Sequence, residues 1–281
     1  MTDKLNKYLK EYYETFFILN KKWVDFNRFV ESIIECDESQ KSMIEVLKKE
    51  KLLSDNIKIL ILGCGSGKLE RSFTKQFKNI FVVGVDVSLQ GVAIANLLKE
   101  NSKTKIIDYL NCVGEKLPFK SETFDVVISN QVLEHVKDLK LVFQEIFRVL
   151  KNDGQTYHFC PNYRSFYEAH YKIFWFPILS KSILSSYLKL RGLKTDILLN
   201  HLNLITYNNI KNIINESGFN EISGDMFKQH LISKLQNPEN ISNKKAKRLI
   251  FFLKYVGLLS IFRIIIQYNP FFHIFHIKAK K

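Results

Sequence analysis

The sequence predicts an α/β protein built on a doubly wound, mostly parallel sheet. Short apolar runs suited to buried strands recur near 57–62, 80–85, 105–110, 124–129 and 154–159. Stretches with helical spacing of apolar residues lie between them, and this alternation of periods marks successive β-α-β units. The first run, Ile59-Leu60-Ile61-Leu62, breaks into three alternating glycines, Gly63, Gly65 and Gly67, ahead of a helical stripe of Leu69, Phe73 and Phe77. Glycine turns the chain sharply and lets a ligand approach the backbone, because no Cβ stands in the way. A strand, a glycine turn and a helix N-terminus together form a site for a nucleotide-like ligand at the carboxyl end of the sheet.

The spacing narrows that ligand. A dinucleotide fingerprint needs glycine at position 68, which is Lys68, and the G-K-[ST] of a P-loop is missing. The second run, Ile80-Phe81-Val82-Val83-Gly84-Val85-Asp86, ends in a carboxylate. Asp86 lies about 20 residues beyond the glycines, where a strand-end acid accepts hydrogen bonds from ribose hydroxyls. Ser88 can cap the helix expected over Leu89–Leu98, which leaves Asp86 for a ligand.

Four motifs in order now resemble the class I S-adenosylmethionine (SAM)-dependent methyltransferases, of the small-molecule type that includes ubiquinone-biosynthesis enzymes. They are Ile61-Leu62-Gly63-Cys64-Gly65-Ser66-Gly67, Val83-Gly84-Val85-Asp86-Val87-Ser88, the block Glu115-Lys116-Leu117-Pro118-Phe119 with Phe124-Asp125-Val126-Val127-Ile128-Ser129-Asn130, and Leu150-Lys151-Asn152-Asp153-Gly154. The resemblance implies a seven-stranded, Rossmann-like sheet with N-terminal helices over the cofactor and a helical insertion after strand five. It also implies SAM as cofactor, bound by Gly63, Cys64, Gly65, Gly67, Asp86, Val87, Gly114, Glu115 and Asn130. Two positions depart from the family. Cys112-Val113-Gly114 replaces the usual Gly-Asp-Ala, so any adenine contact from this loop falls to the backbone. Ile61 stands where an acid often does, and Glu70, one helical turn on, is the alternative partner for the methionine amine.

A chain of 281 residues with 46% hydrophobic content can bury a full core, as one α/β domain with additions. Its four cysteines, Cys36, Cys64, Cys112 and Cys160, are isolated, which predicts reduced core residues and no metal site. No secretory apolar segment follows Met1, so a cytoplasmic location is expected. The net charge of +14 comes from scattered lysines. No RNA-binding module or arginine patch accompanies it, which disfavours nucleic acid and leaves an anionic membrane surface or a phosphate-bearing substrate.

Four regions follow. Residues 1–50 read as a helical lid, with stripes at Tyr8, Tyr12, Phe16, Leu19 and at Phe26, Phe29, Val30, Ile33. Residues 51–160 are the SAM-binding core. Residues 161–205 form a substrate-side insertion. Its stretch from Pro161 to Pro177, centred on Glu168-Ala169-His170-Tyr171, resembles methyltransferases found with bacterial surface-polysaccharide enzymes. Glu168 and His170 are expected to orient substrate or remove a proton, or else to be loop residues; a spacing of two places them on one side of a strand. His135, in Leu133-Glu134-His135-Val136, is expected near the cofactor sulfur as a general base, or as a loop-pinning residue. His201 and Tyr207 are weaker candidates.

Residues 206–281 complete the core. Thr206 and Gly218 should bound a helix. The stretch 228–248 is rich in Lys and Asn. Lys254 and Arg263 interrupt the apolar segment 249–266, which makes it a poor membrane span and either an interfacial helix or a core helix. Phe271–Ile277 should form the antiparallel edge strand. The expected activity is methyl transfer to a sugar hydroxyl, in polysaccharide biosynthesis, on a small-molecule or lipid-linked glycan at the inner membrane face. The alternatives are C-methylation of a polyprenyl quinone and a non-catalytic SAM-binding partner or regulator.

Overall fold

A computed structural model describes residues 3–20, 25–36, 38–49, 52–54, 56–77, 79–102, 107–168, 170–171, 173–177, 179–223, 232, 235, 244–261, 264 and 274–281. Five parallel strands form the main sheet: β1 (Lys58–Leu62), β2 (Phe81–Asp86), β3 (Ile107–Asn111), β4 (Phe124–Asn130) and β5 (Leu150–Pro161). A short β8 (Glu221–Ile222) and the C-terminal β9 (Ile274–Lys280) complete seven strands in the order β3-β2-β1-β4-β5-β9-β8. The order reverses direction between β1 and β4, so a crevice opens at their carboxyl ends.

The central strands β1 and β2 are almost wholly apolar because both faces of the sheet are covered there. Ile59 and Ile61 enter one core with Ile128 and Phe73, while Leu60 and Leu62 enter the other with Val127, Phe143 and Ile146. Between β4 and β5, buried His158 bonds Ser129 through Nδ1 and Thr156 through Nε2, each at 2.7 Å. Burial holds the His158 pKa down to about 3, so this interior imidazole stays neutral.

Two expectations change. The motif Leu150–Gly154, ahead of the strand expected at 154–159, lies inside β5, because Phe124 pairs with Leu150 and the register shifts before Val126. The antiparallel C-terminal strand runs second from the edge, between β5 and β8, and Phe271 to His273 lie outside the described residues.

Helices α4 (Lys68–Gln76), α5 (Leu89–Ser102) and α6 (Leu139–Val149) connect the parallel strands. Asp138 caps α6 by accepting from Lys140 N and Leu141 N at 2.9 and 3.0 Å. Ser88 Oγ caps α5 at Gly91 N. Helix α8 (Tyr207–Glu216) starts at its Thr206 cap and stops at Gly218, whose φ is +96°.

At the N-terminus, α1 (Asp3–Asn20) and α2 (Phe26–Ile34) pack together, and Leu5 and Leu9 of α1 meet Ile94 of α5. Helix α3 (Glu38–Lys49) buries Met43, Ile44 and Leu47 against the sheet. The side chains of Phe16 and Leu19 lie outside the described set. Cations on α4 hold α2 by its last carbonyls. Arg71 bonds Ile34 O at 2.9 Å and Lys68 bonds Ser32 O at 3.1 Å, in the place where a helix end favours positive charge.

After β5, Tyr167–Glu168 (β6) and Ile173–Phe174 (β7) form a two-stranded ribbon, followed by α7 (Lys181–Leu190) and a π-helical turn at Ile197–His201. Helix α9 (Lys244–Tyr255) begins the basic apolar segment. It is not a core helix: Ile250 is buried, yet Phe252, Tyr255, Ile261 and Ile264 are exposed. Most of 228–243 and all of 265–273 lie outside the described residues.

Gly84 leaves room inside the sheet that a side chain would fill. A Cβ there would stand 2.5 Å from Glu70 Oε1 and 2.7 Å from the Cys64 Cβ. Gly84→Ala is expected to cost about 1–3 kcal/mol of stability, the usual range for forcing a methyl into a packed interior. Urea unfolding followed by circular dichroism measures it.

Candidate functional site

The glycine loop folds as its spacing requires. Gly63, Gly65 and Gly67 have φ of +69°, +52° and +74°, a region that side chains with a Cβ rarely enter. Gly63 N and Cys64 N both donate to Val85 O, at 2.8 and 3.1 Å, which ties the loop to the end of β2. The three glycines differ in their surroundings. A Cβ on Gly63 would meet Val132, and one on Gly67 would meet the Tyr109 ring. A Cβ on Gly65 would meet nothing within 4 Å among the described residues. Gly63 and Gly67 therefore serve packing, and Gly65 is where a ligand can lie on bare backbone.

Asp86 ends β2 beside that space but is already engaged. Its Oδ2 accepts from Gly65 N and its Oδ1 from Ser88 N, each at 2.8 Å. Ser88 caps the helix through Gly91 N as expected, yet Asp86 is not left free: its half-buried carboxylate takes the nearest backbone donors. A carboxylate keeps lone pairs for further donors after these two bonds. Val87 beside it is exposed. Asn130, at the end of β4, holds a buried Oδ1 with no hydrogen-bond partner. That orphaned acceptor, the open space at Gly65 and the strand-end acid suit a polar nucleoside ligand.

The remaining expected cofactor residues play supporting parts. Cys64 is buried, and burial, with Glu70 and Asp86 nearby, pushes its thiol pKa up. Glu115 Oε1 accepts from Lys137 N at 2.8 Å and Asp138 N at 3.2 Å, so its carboxylate joins two loops. Gly114 has ordinary clearance, with Val142 at 3.4 Å from a would-be Cβ. Tyr12 of α1 comes within electrostatic reach of Asp86 and Cys64, and burial raises its pKa to about 12.

Glu70 has no exposed surface, and neither carboxylate oxygen has a hydrogen-bond partner. It packs where a Gly84 side chain would stand, so it is an interior carboxyl. Burial raises its pKa to about 8.

A second group of polar side chains gathers on the loop after β4. His135 Nδ1 bonds His201 O at 2.8 Å, and its Nε2 lies 3.9 Å from Glu134 Oε1. His170 Nδ1 bonds Glu168 Oε1 at 2.7 Å, and the other Glu168 oxygen accepts from Tyr171 N at 2.6 Å. The two imidazole rings meet edge to face at 5.2 Å. The structure thus brings the three expected catalytic residues, His135, Glu168 and His170, together. It also confirms that His135 pins its loop.

Electrostatics separates the two rings. Burial lowers the His135 pKa, and the His201 carbonyl only partly offsets it. Burial also pulls on His170, but the hydrogen bond and charge of Glu168, with the charge of Glu134, turn its net shift upward. Glu134 is 1% exposed, both its oxygens lack a hydrogen-bond partner, and burial raises its pKa to about 7. Sequence reasoning passed over Glu134; its only signal was its place beside His135. His201 lends its carbonyl to the loop while its ring lies 3.3 Å from Asp196 Oδ2, and Tyr207 donates to Ser223 O at 2.6 Å.

Comparison with known proteins agrees with this geometry. Residues 60–158 match the family described as "Methyltransferase domain". Ubiquinone biosynthesis O-methyltransferase of Bartonella quintana (strain Toulouse) is 35% identical over 100 residues, covering 36% of this chain and 39% of that protein. Malonyl-[acyl-carrier protein] O-methyltransferase of Bacillus anthracis is 29% identical over 129 residues, covering 46% of each. The chain thus spans less than half the length of either relative. Phosphoethanolamine N-methyltransferase 2 of Haemonchus contortus, solved with S-adenosyl-L-methionine, superposes with a TM-score of 0.57 at 24% identity, over 86% of this chain and 52% of that one. Over residues 60–158 the chain is similar to methyltransferase domains, and its fold is that of the solved methyltransferase.

Glu70 gives a pH test. Its folded pKa lies above the ordinary carboxyl value, so it stays protonated in the folded chain while the unfolded chain ionises. Stability is therefore lost as pH rises from about 4.5 towards about 8. Glu70→Gln is expected to match the native chain near pH 4 and to be more stable above pH 7, as read by urea midpoints across that range.

Proposed function

We propose that this chain is a SAM-dependent methyltransferase acting on an oxygen nucleophile, most specifically a hydroxyl of a small-molecule or lipid-linked glycan. The observation that carries the reading is the adjacency of two sites. Val132, on the loop bearing Glu134 and His135, packs against Gly63 of the glycine loop. A nucleoside ligand lying over Gly65 and Asp86 would therefore end beside the polar cluster.

SAM, bound there, supplies an electrophilic methyl group on a sulfonium. The chain's own residues do the rest. The backbone at Gly65, the carboxylate of Asp86 and Asn130 Oδ1 hold the cofactor in register. Glu134, His135 and His170 receive the acceptor's hydroxyl and make it a better nucleophile, with Glu168 holding the His170 ring from behind. Helices α1 and α2 form a lid, with Tyr12 facing the Asp86 end and Arg71 and Lys68 anchoring α2. Alignment of the two reactants within a site closed to water is the main catalytic contribution.

The insertion favours a glycan. Phe166 and Phe174 stack at 5.6 Å, and Phe176 continues the series to Tyr187. Phe166, Phe174 and Phe176 are exposed, and their faces suit the apolar side of a sugar ring. The relative named for ubiquinone biosynthesis favours a second reading with a polyprenylated quinone ring as acceptor.

Either acceptor fits a chain working at the inner face of a membrane. No helix among the described residues is long and apolar enough to cross one. Helix α9 and the residues after it instead present Phe252, Tyr255, Leu258, Ile261 and Ile264 to solvent, on a helix carrying Arg248 and Lys254. Apolar side chains flanked by cations suit the interface of an anionic bilayer.

Calorimetry with SAM, S-adenosylhomocysteine and NAD tests the cofactor. SAM and its product are expected to bind and NAD is not. Asp86→Ala is expected to weaken SAM about 10- to 100-fold, the worth of a charge-assisted hydrogen bond. Preference for NAD would sink the reading; SAM binding without methyl transfer to sugars or quinones would favour the regulatory alternative. For the membrane, the native chain is expected to sediment with phosphatidylglycerol vesicles and not with phosphatidylcholine ones, and Phe252→Ser with Ile261→Ser to stay in solution. Equal behaviour of all samples would remove the membrane contact.

A further inference from the structure

We propose that Glu134, His135 and His170 bind a first-row divalent transition-metal ion, and that this ion holds the acceptor's oxygen beside the cofactor. One ligating atom of each residue lies within 4.8 Å of those of the other two. Bonds of about 2.1 Å place ligand atoms about 3 to 4 Å apart, so small side-chain rotations close the set.

The hydrogen bonds behind the rings prepare them for this. A carbonyl oxygen can only accept, so the bond to His201 O places the His135 proton on Nδ1. The bond to the Glu168 carboxylate does the same at His170 Nδ1. Each Nε2 is left with its lone pair. Histidines that bind metal ordinarily give their other nitrogen to a carboxylate or a backbone carbonyl, and both kinds of partner occur here. Glu168 is itself fixed by Tyr171 N, and the loop of His135 is fixed by Asn203, which bonds Glu134 O and Val136 O at 2.6 Å.

The third donor supplies the independent reason. Glu134 is 1% exposed, and among the described residues neither of its oxygens has a hydrogen-bond donor. An interior carboxylate in that state must either protonate or take a cation. The structure aims it at His135 Nε2, and His170 lies beyond the facing ring. Two imidazoles and one carboxylate suit zinc, manganese or iron(II) better than calcium or magnesium, which prefer oxygen alone. Three protein ligands leave a position for a further oxygen.

The sequence expectation of no metal site rested on cysteine spacing. This set instead draws on two adjacent residues and a third from the insertion, and only the fold joins them. The role given to the ion rests on the methyltransferase reading; its binding does not. A hydroxyl on the ion becomes more acidic and loses its proton to water. Its oxygen then forms the new C–O bond as the methyl–sulfur bond breaks, and that electron pair stays on sulfur. His135 and His170 are then ligands, and neither acts as the base.

The test uses the tag-free full chain, stripped by chelator and titrated with cobalt(II) alone, then with zinc(II) in competition. One ion per chain with cobalt d–d absorption is expected. Glu134→Gln and His170→Ala should abolish the absorption at stoichiometric cobalt, while circular dichroism reports that each variant folds. Glu168→Gln touches only the back of a ligand ring and should weaken binding about 10- to 100-fold. Absence of stoichiometric binding, or equal affinity in Glu134→Gln and His170→Ala, would overturn the proposal. Calorimetry with SAM on the metal-free chain keeps the two readings apart. SAM binding without cobalt binding sinks the metal site alone, and cobalt binding without SAM binding sinks the methyltransferase reading alone.

Discussion

The contact between Gly63 and Val132 is the constraint on which the functional geometry depends. A Cβ on Gly63 would stand 2.1 Å from Val132 Cγ2, so only glycine lets the two loops touch. The glycine loop leaves β1, and the Val132 loop leaves β4, the neighbouring parallel strand across which the sheet changes direction. Parallel pairing of Leu62 with Ser129 brings both loops out on the same side. Their close packing turns two strand ends into one surface. One half is bare backbone beside Asp86, and the other half carries Glu134 and His135.

The rest of the chain secures those loops. Asp86 spends its carboxylate on Gly65 N and Ser88 N, which holds the glycine turn against β2 while leaving lone pairs at the crevice. Asn203 and the His201 carbonyl come from the insertion and clamp the loop at 133–136. The insertion therefore does more than cover the substrate. It sets the ring orientation of His135 and delivers His170 with its own carboxylate. A loop held by backbone bonds on both sides keeps its side chains in fixed directions, which catalysis by alignment requires.

Much of this was legible in the sequence, for reasons that can be named. Strand positions followed from apolar runs bounded by turns, because strands buried on both faces lack any polar alternation to confuse the reading. The glycines and Asp86 were legible because their roles depend on local backbone, which spacing encodes. Long-range pairing was not. The place of β9 between β5 and β8 depends on partners more than 50 residues away in the chain. The engagement of Asp86 by Gly65 N depends on how closely two strand ends approach. Glu168 and His170 were picked out by their place in the insertion, and a spacing of two joins them on one side only of a strand; only Glu168 is in one. The bond between them is made across the turn that follows.

Glu134 shows where a sequence reading stops and why. Next to a histidine on a loop, a glutamate reads as a solvated charge, since most are exposed. Here the loop is pressed between Gly63 and the insertion, and the carboxylate is buried with no donor among the described residues. A fold that only needed this loop packed would gain by placing an apolar side chain there, because an unpaired interior carboxyl costs stability. Glu70 carries the same cost beneath the glycine loop, and Gly84 makes room for it. Glu70 stays protonated and bears that cost alone, whereas Glu134 faces two imidazoles, which is why the proposed ion falls there.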